Sequence, residues 1–235
     1  IEVLKGASSV LYGSSAMNGT INLQTMVPLK KAVTTFSAFQ TFIASPRRKI
    51  TKWWDFPIPS FGATFARAHK TSDYFEYVIG GAFFLQNQHY QDGLEYMSRV
   101  NYRTKWTAKK NDKMKFGVAG IMMYNRETEF FYWQNDTTGA LRPGTNNNFE
   151  NIRLTVDPYF NTYDKQGNKH DIKTRLYFNR PSFDTKTVLQ TIDYQFTKRW
   201  DKADLNWIVG TNEQFMWIDV PEFVGDENKI GNLWA

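Results

Sequence analysis

A chain of 235 residues with 41% hydrophobic residues can bury a core, and its lack of cysteine excludes disulfide scaffolds and thiolate metal centres. The net charge of +6 comes from lysines and arginines scattered along the chain and gathered at turn-like stretches such as AKKNDK (108–113), not from one basic tract, which argues against a nucleic-acid partner. No run approaches the ~18 apolar residues of a membrane helix, whereas a membrane β-barrel needs only every second residue to be apolar.

The chain opens IEVLKGASSVLYGSSAMNGTINLQT (1–25). Ile1 to Leu4 is a short apolar run, Gly6 and Gly13 bracket ASSVLY, and Gly19 releases the chain into the alternating Thr20–Thr25. ASSVLY is long enough for one or two helical turns. The segment is expected to be a compact strand–turn–strand unit whose partners lie outside this sequence, so the chain is expected to be a piece of something larger. After Pro28-Leu29-Lys30-Lys31 the character changes. From Ala32 onward the pattern predicts about nine strands, near 32–43, 60–68, 74–87, 96–107, 114–127, 151–163, 170–180, 187–200 and 205–217.

The period is two. In 171–180 Ile172, Thr174, Leu176 and Phe178 alternate with Asp171, Lys173, Arg175, Tyr177 and Asn179; Ile152, Leu154, Val156 and Phe160 do the same before it, and Val188, Ile192, Tyr194, Phe196 and Trp200 after it. Most of these strands match or exceed the ~9–11 residues that a tilted strand needs to cross a bilayer. The connections alternate as well. HKTSD (69–73), AKKNDK (108–113), DKQGN (164–168) and DKAD (201–204) are short, whereas 44–60, 88–95 and 128–150 are longer or irregular, and PSFDTK (181–186) is short but carries proline. Sorting of loops by parity is the asymmetry of an outer-membrane barrel.

Aromatic residues, 17% of the chain, fall at both ends of these strands. Tyr74, Trp106, Phe116, Tyr163, Trp200 and Trp207 lie by the short turns; Trp53, Trp54, Phe130, Phe131, Tyr132, Trp133 and Trp217 lie by the long loops. Two such bands would be interfacial girdles. Alternation alone would equally suit a large soluble β-protein; loop parity, strand length and the girdles favour the barrel. About nine strands cannot close such a barrel, since open edges in lipid leave backbone groups unpaired. The stretch GDENKIGNLWA at the end reads as a loop.

The opening segment resembles the end of the plug domain of TonB-dependent outer-membrane transporters. Glu2, Lys5, Gly6, the SVLYG at 9–13 with Tyr12 and Gly13, Gly19, Ile21 and Asn22 stand in the register of that family's signature, while Ala7 replaces its usual proline. The resemblance covers about 25 residues, and the rest of the chain matches only in style. It implies an all-β fold: plug end at 1–27, linker at 28–31, and at 32–235 the first part of a transmembrane β-barrel that is about 22-stranded in the family. It further implies active uptake of a scarce nutrient (siderophore, cobalamin, glycan or peptide) across the outer membrane of a Gram-negative type cell. The TonB inner-membrane complex supplies the energy, and some branches add a surface lipoprotein. Plug charges, here Glu2 and Lys5, would pair with barrel charges, and the barrel would contact outer-membrane lipid.

Asp157, Asp171, Arg175, Asp193 and Arg199, on polar faces, are candidates to line the lumen; a solvated polar face is the plain alternative. EFFYWQND (129–136) and KWWDFP (52–57) make Trp53, Trp54, Phe131, Tyr132 and Trp133 candidates to capture a planar or sugar-like ligand, unless they are simply upper girdle. His69, His89 and His170 lack metal-ligand spacing, and Ser8, Ser9, Ser14 and Ser15 read as turn residues rather than nucleophiles. NGT (18–20) and NDT (135–137) fit the glycosylation sequon only as chance matches. No catalytic residue, metal or cofactor is expected, and an enzyme is not. The alternatives are a plugless porin or adhesin barrel, for which the opening 25 residues have no use, and a secreted carbohydrate-binding β-protein whose apolar faces pack inward.

Overall fold

A computed structural model of the chain describes residues 2–5, 19–22, 27–49, 52–129, 147–182, 185–200, 205–219 and 229–234. At the start, β1 (Glu2–Lys5) and β2 (Gly19–Asn22) pair antiparallel, Glu2 opposite Asn22 and Lys5 opposite Gly19. The two ends of the opening segment thus form the expected strand pair. The ASSVLY stretch lies outside the described residues.

Long strands follow: β3 (Val33–Ile43), β4 (Ile58–Lys70), β5 (Phe75–Asn87), β6 (Leu94–Ala108), β7 (Asn111–Glu129), β8 (Asn147–Tyr163), β9 (Lys169–Pro181), β10 (Lys186–Trp200) and β11 (Leu205–Asp219). All the expected strands are present, and several run past their expected limits. β8 begins at Asn147 rather than 151, because polar residues invisible to a hydrophobic pattern still complete its ladder to β7, where Asn147 pairs with Glu129. One expectation is overturned. Within the terminal stretch read as a loop, Lys229–Trp234 form β12, paired to β11 with Trp234 opposite Gln214 and Lys229 opposite Asp219. The open N–H and C=O row of β11 templates this pairing, and the stretch is too short for its own alternation to declare it.

β3 to β12 make one antiparallel sheet of ten strands whose spatial order is chain order. Among the described residues there is no α-helix, and the sheet is open, with β3 and β12 at its edges. The strands of β3 to β11 run from 11 to 19 residues, well beyond the ~5–6 usual in soluble sheets.

The tight connections are built from side chains that accept backbone N–H bonds. Between β4 and β5, Ser72 Oγ accepts from the N–H groups of Tyr74 (3.2 Å) and Phe75 (3.1 Å). Between β8 and β9, Asp164 accepts from the Asn168 backbone N–H at 2.8 Å and from its side-chain amide at 2.7 Å, and Gly167 takes a φ of 84°. An L side chain would be strained at that angle, so glycine sets this turn.

Register decides what each face presents, because paired residues in a ladder share a face. Phe36, Phe65, Gly81, Val100, Met122, Leu154, Phe178, Val188 and Trp217 are successive partners across β3 to β11, an unbroken apolar row. It is uncovered: Phe36 is 72% and Met122 61% exposed. The apolar sets expected in β8, β9 and β10 all fall on this one face. Nearer the short turns the same face carries an aromatic row, Phe75, Trp106, Phe116 and Phe160 on four adjoining strands. Phe75 and Trp106 ring centres are 5.0 Å apart, and Trp106 stacks on Phe116 at 5.8 Å and 11°. Farther along that margin Trp200 and Trp207 meet at 5.6 Å. Tyr163, expected in this band, pairs with Lys169 on the opposite face, because its odd position in β8 turns it away.

Candidate functional site

The opposite face carries charge. Its register runs Lys70, Glu76, Lys105, Gly117, Tyr159, Lys173, Asp193 and Asn212 across β4 to β11. Although polar, this face is the more covered one: Glu76 is 8% and Asp171 5% exposed, and Ser60 and Thr155 are also buried. A buried charge needs a partner. Glu76 accepts from Lys105 Nζ at 2.7 Å, and Asp171 from Lys169 Nζ at 2.6 Å. Arg175 grips Asp157 with two parallel bonds, Nε at 2.9 Å and Nη2 at 2.8 Å, the bidentate geometry of a strong charge-assisted pair.

That clamp sits where the backbone is weakest. The β8–β9 register skips Asp157 and Pro158, and proline has no N–H to give a ladder. The Asp157–Arg175 pair joins the two strands there through side chains instead. Beside it the hydroxyl end of Tyr159 lies close against Gly117 and donates to the Thr104 carbonyl of β6 at 2.8 Å. A Cβ on Gly117 would stand 2.1 Å from that carbonyl and 2.5 Å from the tyrosine hydroxyl, so only glycine admits the contact.

Around these residues a cleft of about 420 Å³ is lined by Arg103, Asp157, Tyr159, Lys173, Arg175 and Asp193, among others. Three of the five lumen candidates, Asp157, Arg175 and Asp193, therefore come together. Asp171 and Arg199 share the face on the same alternation but lie outside this cleft. Toward the other end, Asn151 Oδ1, Arg153 Nε and Asn179 Oδ1 are covered atoms with no hydrogen-bond partner among the described residues. Such atoms call for water or for another polar element against the face.

No family model, curated protein or solved structure matches the chain.

At the long-loop end a second group forms. Trp53 and Trp54 meet edge to face at 5.6 Å, and Trp53 Nε1 donates to the His89 carbonyl at 3.1 Å. His89 and Tyr90 rings are 5.4 Å apart, the Tyr90 hydroxyl donates to the Thr128 carbonyl, and Thr128 Oγ1 bonds Asn148 Oδ1 at 3.0 Å. The connection 44–57 is thus tied through 88–93 to the ends of β7 and β8. Trp53 is 39% exposed and presents a ring to solvent, whereas Trp54 is 8% exposed, with its Nε1 unpartnered among the described residues. Phe131, Tyr132 and Trp133, the other capture candidates, lie outside the described residues. So do Gly6, Tyr12 and Gly13 of the plug signature; Glu2, Lys5, Gly19 and Asn22 lie on β1 and β2.

Sequence reasoning did not single out Glu76, Lys105, Arg103, Lys173 or Tyr159. Their positions were legible in the alternation of β5, β6, β8 and β9, but their convergence needed the register. His89 and Tyr90 carried no periodic signal, because they are loop residues.

Proposed function

We propose that the chain is part of a TonB-dependent outer-membrane transporter: the closing strands of a plug at 1–27, a linker at 28–31, and from 32 onward the first part of a transmembrane barrel. The carrying observation is the inversion of the two faces: large apolar side chains lie in exposed rows on one, and the paired carboxylates Glu76 and Asp171 lie buried on the other. A face uncovered over nine strands needs an apolar medium against it. Loop asymmetry and the aromatic row at one margin support the same reading. Strand pairing of Glu2–Lys5 with Gly19–Asn22 supports the plug resemblance, because Glu2, Lys5, Gly19, Ile21 and Asn22 of the signature sit in that pair.

On this reading the charged face looks into the lumen. Polar, hydrated contacts suit a plug that must be held and released, since they exchange for water at small net cost. The Trp53 ring on the long-loop side is a capture surface for a planar or sugar-like part of the nutrient, and energy comes through TonB. The protein is then a receptor and active transporter in the outer membrane, not an enzyme.

Two measurements test this. The full-length protein should fractionate with the outer membrane, need detergent for extraction, and migrate differently on gels before and after boiling; solubility without detergent would defeat the reading. Deleting residues 1–25 from the full-length gene should open a large conductance in planar bilayers. An unchanged conductance would leave a barrel without this plug.

A further inference from the structure

On the apolar face near the short turns, two cations, Lys198 and Arg67, stand among the exposed apolar rows; Lys198 lies over the Trp200 ring at 5.4 Å. Arg67 of β4 pairs in register with Thr34 on one side and Ile79 on the other, two residues from Phe65 of the central row. Its guanidinium is held in place: Nε donates to the Tyr77 hydroxyl at 3.1 Å and Nη1 to Thr34 Oγ1 at 3.0 Å. Among the described residues no carboxylate forms an ion pair with it. By contrast Arg126, on the same face near the long loops, is paired with Glu150 at 3.6 Å. Arg67 therefore carries a full charge and undirected N–H donors among exposed Ile79 and Phe65, fixed by two neutral hydroxyls that cannot neutralise it.

One step toward the turn, His69 lies opposite Tyr77, ring centres 6.0 Å apart. His69 also lines a cleft of about 270 Å³ with Lys30, Lys70, Thr71, Ser72 and Asp73. Asp73 is shared by two cations, Lys70 at 3.1 Å and Lys30 at 3.9 Å, so a positive excess remains.

We propose that Arg67, with His69 and the Lys30–Lys70 cleft beside it, binds the phosphate of an anionic phospholipid whose acyl chains lie along Phe65, Ile79 and Phe36. This rests on the membrane-barrel reading. The argument is charge complementarity. A guanidinium at the margin of hydrocarbon demands an anion, its planar fork matches two phosphate oxygens, and the ammonium groups beyond it favour a headgroup with net negative charge over a zwitterionic one. The hydroxyls of Thr34 and Tyr77 aim the fork in advance, so little freedom is lost when lipid arrives.

The test uses the full-length protein in detergent micelles doped with phosphatidylglycerol or phosphatidylcholine, with retained lipid counted by native mass spectrometry. The wild type should retain phosphatidylglycerol in preference, and Arg67→Gln should weaken this about tenfold, the loss of one charge-assisted contact. Arg126→Gln, whose partner is a glutamate, should leave it unchanged. Should Arg67→Gln fail to fold, the pair Thr34→Val and Tyr77→Phe, which only releases the guanidinium, should lower retention a few-fold. Equal retention of the two lipids, or an Arg67→Gln variant that holds phosphatidylglycerol like the wild type, overturns the proposal. So does equal protection of the site by inorganic phosphate alone, which would make it an anion site without lipid. A protein soluble without detergent removes the membrane reading and this proposal together; one that needs detergent but ignores Arg67→Gln removes only the latter.

Discussion

On one face of the sheet Phe36, Phe65, Val100, Met122 and Leu154 lie exposed in a single row; on the other Ser60, Glu76, Thr155 and Asp171 are buried. The two faces are made by the same strands, one residue out of phase, and differ in what each needs beside it. The apolar face has no internal partner and requires an apolar cover. The charged face satisfies most of itself through pairs such as Glu76–Lys105 and Asp157–Arg175, and needs only water or another polar element for what remains. The sorting is incomplete: Phe39, Ile121 and Ile208, among others, sit exposed on the charged face.

The sharpest way to break this comparison uses two neighbours. Ile121 and Met122 are adjacent in β7 and point to opposite faces, both exposed. For a barrel in lipid vesicles, Met122→Arg should destabilise by about 2–4 kcal/mol, as a cation near the bilayer midplane does, and Ile121→Arg by about 1 kcal/mol or less. Urea unfolding followed by tryptophan fluorescence reads both. If the apolar face instead met water, Met122→Arg would be nearly silent.

A second pair sharpens the comparison through glycine. Gly117→Val, on the charged face, would drive a side chain into the Thr104 carbonyl and the Tyr159 ring, and should cost about 1–3 kcal/mol as overpacking does. Gly81→Val, in the exposed apolar row, meets nothing closer than the Arg99 carbonyl at 3.5 Å and should be neutral or slightly stabilising, since a branched side chain suits a strand. The same unfolding curves compare them. Smaller again is the clamp at Pro158: Arg175→Gln should cost about 1 kcal/mol or less, because the Arg175 side chain is 55% exposed and solvent screens the pair. A double-mutant cycle with Asp157→Asn measures the coupling.

Much of this was legible before any coordinates. Period-two alternation located every strand from β3 to β11, because one uncovered apolar face and one polar face leave a strong imprint on each strand. What it could not supply was convergence. Asp157, Arg175 and Asp193 sit on three strands, and only the register brings them around one cleft. Alternation also missed β12, where six residues are too few to show a period and the pairing comes from the neighbouring edge. It missed the bonds from Trp53 and Tyr90 that tie the long loops, since loop residues obey no period. Tyr163 went to the unexpected face because proximity to a turn says nothing about parity.

The smallest expected effect concerns the short-turn margin rather than the faces. The hydrogen bond from Lys70, joined by the charges of Lys30 and Lys70, holds the Asp73 carboxyl below its ordinary value. At Asp164 burial pushes the carboxyl up, but the bonds from Asn168, from the Gln166 N–H and from His170 outweigh it, so that group too is lowered. A carboxyl lowered in the folded state binds its proton less readily there than in the unfolded chain. Its contribution is therefore whole above about pH 4 and is lost as pH falls through the lower folded value. Acid unfolding should then begin at lower urea as pH drops below about 4, and Asp73→Asn should flatten that slope slightly and lower neutral-pH stability by the same small amount. Asp164→Asn should flatten it further, because it also loses a carboxylate oxygen that accepts from Asn168 within the turn set by Gly167. An acid limb unaltered in both variants would mean that these turn carboxylates do not hold the short-turn margin together, and that the aromatic row beside them does so alone.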